Sequence, residues 1–151
     1  KTPVRAITHV YRTLASGIPA DKPVDILLGE ANLVNQQVIM QVLDKMGCTA
    51  DVVEGGQEAG DATALTKYDM VLMDVQMPEM DGLEATGIIR KRPDAQPFII
   101  AMTANAMQGD KEECIQAGMD DYISKPINLN DLKHLLEKFA SEKKRAQQHD
   151  L

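Results

Sequence analysis

The chain is poor in cysteine, in dense basic runs and in long apolar runs, and each shortage removes a class of protein. Two cysteines, Cys48 and Cys114, lie too far apart for a metal-ligand spacing and read as buried thiols of a reducing compartment. Lysine and arginine total 16 against 23 aspartates and glutamates, a formal charge of −7. That balance argues against nucleic acid as a partner held through its phosphates, and no basic run precedes the short mixed-sign tail "SEKKRAQQHD". No apolar stretch approaches the roughly 18 residues that span a bilayer, and no signal peptide is recognised, so direct membrane contact is not expected. The sequence begins at Lys1 rather than Met, as expected of a processed product or a piece of a longer protein. What remains is 151 residues, 44% of them hydrophobic, enough for one domain with a core. The nine methionines read as core fillers.

Residues 1–23 read as a linker or N-terminal arm, with a short helix expected over Val4 to Ala15 between glycine and proline punctuation. His9, in "THVYRTL", reads as an ordinary histidine, because no acidic residue follows it. From Val24 the pattern alternates. Apolar strand-like runs are "VDILL", "TADVV", "DMVLMD", "PFIIAM" and "DYIS". Between them, Val34, Val38 and Val42 recur at i, i+4 beside Ile39, Leu43 and Met46, which predicts one apolar helical face ending at Gly47. Further helices are predicted over Gly56 to Lys67 and Gly82 to Lys91. Another should start at an Asp110–Glu113 capping box and end at Gly118. A last helix carries Leu129, Leu132, Leu136 and Phe139 on one side. Five strands alternating with five helices predict a parallel sheet with right-handed crossovers and helices on both faces. The unit is bounded at 24–146, with 147–151 as a tail.

Ligand chemistry in such folds sits beyond the carboxyl ends of the strands. Strand one ends at Glu30, strand three at Asp74, strand four at Thr103 and strand five at Lys125. One sheet edge therefore offers two acids, a hydroxyl and an amine. Asp74 interrupts an apolar strand and precedes "VQMPEMDG", whose Pro78 and Gly82 force a turn. A carboxylate so placed can attack phosphorus to give an acyl phosphate. Because an anion then attacks an anion, positive charge is needed. A hard cation such as Mg²⁺, held by carboxylates and waters, would supply part of it and Lys125 another part. Thr103 can hydrogen-bond a phosphoryl oxygen. Taken singly, such an Asp is more often a helix cap, such a Thr a strand residue and such a Lys a solvated one. Four suitable groups on one edge make coincidence a poor account.

"LMDVQMPEMDGLEAT", "AMTANAM", "AGMDDYISKPI" and "NLVNQQV" together resemble the receiver domains of two-component signalling, most closely those within hybrid sensor histidine kinases. The likeness runs from Asp25 to Ala140. It implies a flavodoxin-like (βα)5 fold, a doubly wound parallel sheet of strand order 2-1-3-4-5. It implies Asp74 as phosphoacceptor, Lys125 as its partner lysine, Thr103 as switch hydroxyl, Tyr122 as switch aromatic and a cis Lys125–Pro126 bond. The Gln76 backbone carbonyl would bind the metal, and Gln76 with Asn105 would tune dephosphorylation. In the family two adjacent acids end strand one, and the second is the direct metal ligand. Here Glu30 matches the first, and Ala31 stands at the normally acidic ligand position, after an unusual Gly29. Metal binding at Glu30, Asp74 and Gln76 is expected to be weakened, and phosphorylation to be slow or lost.

The resemblance implies a histidine kinase core or a histidine phosphotransfer domain as partner, docking on Leu33 to Met46 and Pro126 to Asn130, with Leu33 and Ile39 as the apolar patch. It implies a cytoplasmic domain of a membrane-anchored parent, a hybrid histidine kinase, with no enzymatic activity expected of the isolated domain. Residues 127–151 leave room for one helix and no DNA-binding output module. A degenerate receiver that only binds proteins is the alternative. A D-x-D phosphatase lacks its second aspartate, since Gln76 stands there, and a flavin-binding flavodoxin lacks the phosphate-cradling loop after strand one.

Overall fold

The computed structural model describes residues 24–93, 96–104 and 108–149, with side chains from 111 to 139 in the last span. The expected arm over 1–23, with its helix and His9, lies outside the described residues, as does Asn105. The elements run β1 (Ile26–Gly29), α1 (Leu33–Lys45), β2 (Ala50–Val53), α2 (Gly56–Leu65), β3 (Met70–Asp74), α3 (Gly82–Arg90), β4 (Phe98–Thr103), α4 (Gln108–Ala117), β5 (Asp121–Ser124) and α5 (Leu129–His149). All four strand pairings are parallel, and the sheet order is β2-β1-β3-β4-β5. This is the flavodoxin-like order that the resemblance implied.

Strands buried on both faces can afford no polar alternation, which is why β1 and β3 read as continuous apolar runs. Successive strand side chains still point to opposite faces and so build two cores. Ile26, Leu28, Leu72 and Ile100 pack with Ile39 and Leu43 of α1 and with Leu132, Leu136 and Phe139 of α5. Leu27, Val71, Met73 and Ile99 pack with Ala59 and Ala62 of α2, Ala85 and Ile89 of α3 and Cys114 of α4. Each fully buried aliphatic side chain contributes roughly 1.5–3 kcal/mol.

Several sequence expectations are corrected. The inward stripe of α1 is Ile39, Leu43 and Met46. Val34 and Val38 are exposed, because α5 and the sheet cover only one side of the helix. Ile39 is 1% exposed and belongs to the core, so it cannot supply a docking patch, whereas Leu33 is 65% exposed. Leu129, the first residue of α5, is exposed rather than part of that helix's buried side. α4 starts at Gln108, two residues before Asp110, so Asp110 is inside the helix and not its cap. α2 and α3 stop at Leu65 and Arg90.

Candidate functional site

The site is built where strand ladders overrun their ends. Glu30 N–H donates to the Val53 carbonyl (3.0 Å), Val75 N–H to Met102 (3.1 Å) and Lys125 N–H to Thr103 (2.8 Å). These bonds fix the backbones that follow β1, β3 and β5 at one edge. Turn chemistry then takes over. Asn32 caps α1, its Oδ1 accepting from the Asn35 N–H (3.0 Å), and Asp81 caps α3, accepting from Glu84 (2.9 Å). Gly82 is required at the start of α3. A Cβ there would lie 2.2 Å from the Asp74 carbonyl oxygen, so any side chain would push the end of β3 aside.

The structure brings Glu30, Ala31, Asp74, Gln76, Thr103 and Lys125 to the rim of one open cleft of about 750 Å³. Lys125 Nζ lies 2.8 Å from Asp74 Oδ2 and 2.8 Å from Glu30 Oε1. Asp74 Oδ1 accepts the Gln76 N–H (3.0 Å), and Glu30 Oε2 accepts the Asn32 N–H (3.1 Å). Glu30 is 1% exposed. Its Oε1 meets the lysine charge off the direction of a well-aligned hydrogen bond, and so remains a buried oxygen with unused acceptor capacity.

The two acids respond differently to the same lysine. Burial pushes the Asp74 carboxyl up, and Glu30 beside it adds to the rise, outweighing Lys125 and the Gln76 N–H. Burial also acts on Glu30, but Lys125, the Asn32 N–H and Asp74 together hold its carboxyl below the ordinary value. Burial lowers the Lys125 ammonium, and the two carboxylates more than offset this, so its pKa is raised. Glu30 is thus the settled anion, and Asp74 the acid whose negative charge is less well compensated.

Tyr122 does not line the cleft. Its half-buried ring packs on the α3/α4 side of the sheet, with Lys111 Nζ 5.2 Å from its centroid. The Lys125–Pro126 bond is cis. Sequence reading overlooked Asn35, Asp81, Leu83, Glu113 and Cys114 as cleft residues. Asp81 alone carried a signal, as an acid directly before a helix-opening glycine. Glu113 and Cys114 reach the cleft because α4 packs against α3 and β5.

Residues 26–137 match the family model of the response regulator receiver domain. Among curated relatives, Probable histidine kinase 1 of Oryza sativa subsp. indica is 37% identical over 153 residues, covering 80% of this chain and 16% of that protein. Sensor protein GacS of Pseudomonas syringae pv. syringae is 40% identical over 119 residues, covering 76% and 13%. The chain thus spans less than a fifth of the length of these two relatives. The receiver domain of sensor histidine kinase PA1611 from Pseudomonas aeruginosa, solved with a magnesium ion in its active site cleft, is 41% identical at a TM-score of 0.72, covering 78% of this chain and 98% of that one. A chain in the co-crystal of the Saccharomyces cerevisiae phosphotransfer protein Ypd1 with the Ssk1 receiver domain is 31% identical at a TM-score of 0.67, covering 73% and 83%.

Proposed function

The chain belongs to the response regulator receiver family, and from that premise we propose that Asp74 accepts a phosphoryl group from the phosphohistidine of a kinase core or a histidine phosphotransfer domain. The observation that carries this reading is the Asp74–Lys125–Glu30 cluster, with Thr103 on the same cleft. One carboxylate oxygen of Asp74 attacks phosphorus, the P–N bond breaks, and the imidazole leaves with the bond's electron pair. The Gln76 N–H holds the Asp74 carboxylate in orientation. Lys125 supplies a positive charge beside the developing acyl phosphate, and the Thr103 hydroxyl offers a hydrogen bond to a phosphoryl oxygen. The partner is placed by the solvent-facing side of α1, where Leu33, Val34 and Val38 are exposed. We place this work in the cytoplasm, within a longer hybrid kinase.

The donor set fits a magnesium ion that keeps most of its waters. Glu30 with its unused buried oxygen, Asp74 and the Gln76 backbone carbonyl are hard oxygen ligands, and one or two carboxylates suffice for this ion. When bound, the ion would neutralise charge on the transferring phosphoryl group. Ala31 removes a third carboxylate, so binding is weaker than in a site with all three. Among the described residues there is no cluster of three or more His, Cys, Asp or Glu placed to hold a metal.

A second reading, a receiver that has lost phosphoryl acceptance and serves only as a docking module, is favoured by Ala31 and by the lysine that already balances both acids. Incubating the chain with acetyl phosphate and Mg²⁺ separates the two. Acid-labile labelling of the parent that vanishes in Asp74→Asn supports acceptance. An unlabelled parent that still binds a phosphotransfer domain supports the docking module, and labelling that persists in Asp74→Asn removes Asp74 as the acceptor.

A further inference from the structure

α4 is held to the domain unevenly. Of its described side chains, only Cys114 is buried; α3 buries Gly82, Ala85, Thr86 and Ile89. The C-terminal end of α4 is nevertheless firmly tied. Gly118, just past it, adopts a φ of 108°, and its carbonyl accepts from Arg90 Nε of α3 at 2.7 Å. A second Arg90 nitrogen pairs with Asp120 at 2.7 Å, and Met119 is buried. Toward the other end, one described contact with β5 is Lys111 Nζ lying 5.2 Å from the centroid of the Tyr122 ring. Lys111 sits at the end of the first turn of α4, where the helix dipole disfavours a cation, so helix stability does not explain it. A cation over an aromatic face does. Between these two ties, Glu113 and Cys114 form part of the cleft wall beside Thr103 and Ala104.

We propose that Lys111 is a positioning residue, whose contact with the Tyr122 ring latches the N-terminal half of α4 against β5 and keeps the Glu113–Cys114 wall of the cleft in place. Released, α4 pivots about its Arg90-bound end, and the cleft opens on that side. The latch bears on the phosphoacceptor reading because α4 walls the same cleft. Its test needs neither phosphoryl donor nor metal, so either reading can fail without the other.

Cys114 reports the opening, and Cys48 is the internal control. Cys48 lies in the other core, away from α4, and burial pushes its thiol up to about 11, so its slow reaction reports openings other than that of α4. The parent chain and its variants are treated with iodoacetamide under native conditions without Mg²⁺, and each cysteine is followed by peptide mass spectrometry. Lys111→Met and Tyr122→Leu should each speed Cys114 alkylation by about two- to fivefold, the range that a solvent-exposed cation–π contact supports. The double variant should go no faster than the faster single one. Lys111→Arg keeps the cation, Tyr122→Phe keeps the ring, and both should match the parent. Cys48 should be unchanged throughout. An unchanged Lys111→Met, effects that multiply in the double variant, an arginine that behaves like methionine, or Cys48 rising together with Cys114 would each overturn the latch.

Discussion

The ends of β1 and β3 carry the two acids of the cleft, and they are built to different standards. At β3 the carboxylate is enclosed. Asp74 is buried, both its oxygens are bonded, Asp81 caps the next helix, and Gly82 lies so close beneath the Asp74 backbone that no side chain fits. At β1 the surroundings are looser. The nearest atom to a Cβ at Gly29 would be the flexible sulfur end of Met73 at 3.1 Å, with the Leu72 carbonyl and the Met77 sulfur at 3.8 Å, and the position after Glu30 holds a methyl group. The β3 side of the cleft thus presents an enclosed carboxylate bonded at both oxygens, and the β1 side presents Glu30 with a methyl group beside it.

The largest test of that contrast is at β3. Gly82→Ala should destabilise the domain by about 2–3 kcal/mol, because its Cβ meets backbone that cannot yield without moving Asp74. Urea unfolding measures it, and a loss below about 0.5 kcal/mol would contradict the enclosed geometry.

Next is Ala31→Asp. Restoring a carboxylate beside Glu30 crowds like charge when the cation is absent and supplies a hard oxygen when it is present. The melting temperature without metal should fall by roughly 2–4 °C for a cost of about 1 kcal/mol. Mg²⁺ affinity by calorimetric titration should rise about tenfold. An unchanged affinity would mean that position 31 does not face the cation.

A smaller effect is expected from pH. The Lys125 ammonium has a folded pKa above its ordinary 10.5, because two carboxylates hold its proton. Its contribution to stability is fully present below 10.5 and is lost as pH rises through the folded value. In metal-free buffer, the stability difference between the parent and Lys125→Met should therefore be constant from pH 8 to about 10 and shrink above that. A difference that grows with pH would reverse the assignment.

The smallest effect belongs to Gly29→Ala. Its Cβ would lie 3.1 Å from the Met73 sulfur, the far end of a side chain that can shift, and unfolding should change by no more than about 0.5 kcal/mol. A loss equal to that of Gly82→Ala would erase the contrast between the two strand ends.

Much of this was legible in the linear chain. Apolar runs marked all five strands, because most residues buried on a sheet face are apolar. The polar residues ending those runs marked Glu30, Asp74, Thr103 and Lys125, because an acid or amine in an apolar strand needs a reason. Ala31 was visible as the departure from the family pattern. Less legible was which valines and leucines face inward. Val34 and Val38 match the helical period as well as Ile39 and Leu43 do, and composition cannot say which side α5 and the sheet will cover.

The sequence by itself determined the order of elements, the parallel sheet and the identity of the chemical groups on its edge, since these follow from burial and from strand–helix alternation. Only the tertiary structure decided that Lys125 binds both acids at once and that Glu30 and Asp74 shift in opposite directions. It alone set Lys111 against Tyr122 and put Glu113 and Cys114 in the cleft wall. Those relations join residues far apart in the chain, and a contact of a few ångströms between distant segments exists only once packing has brought their backbones together.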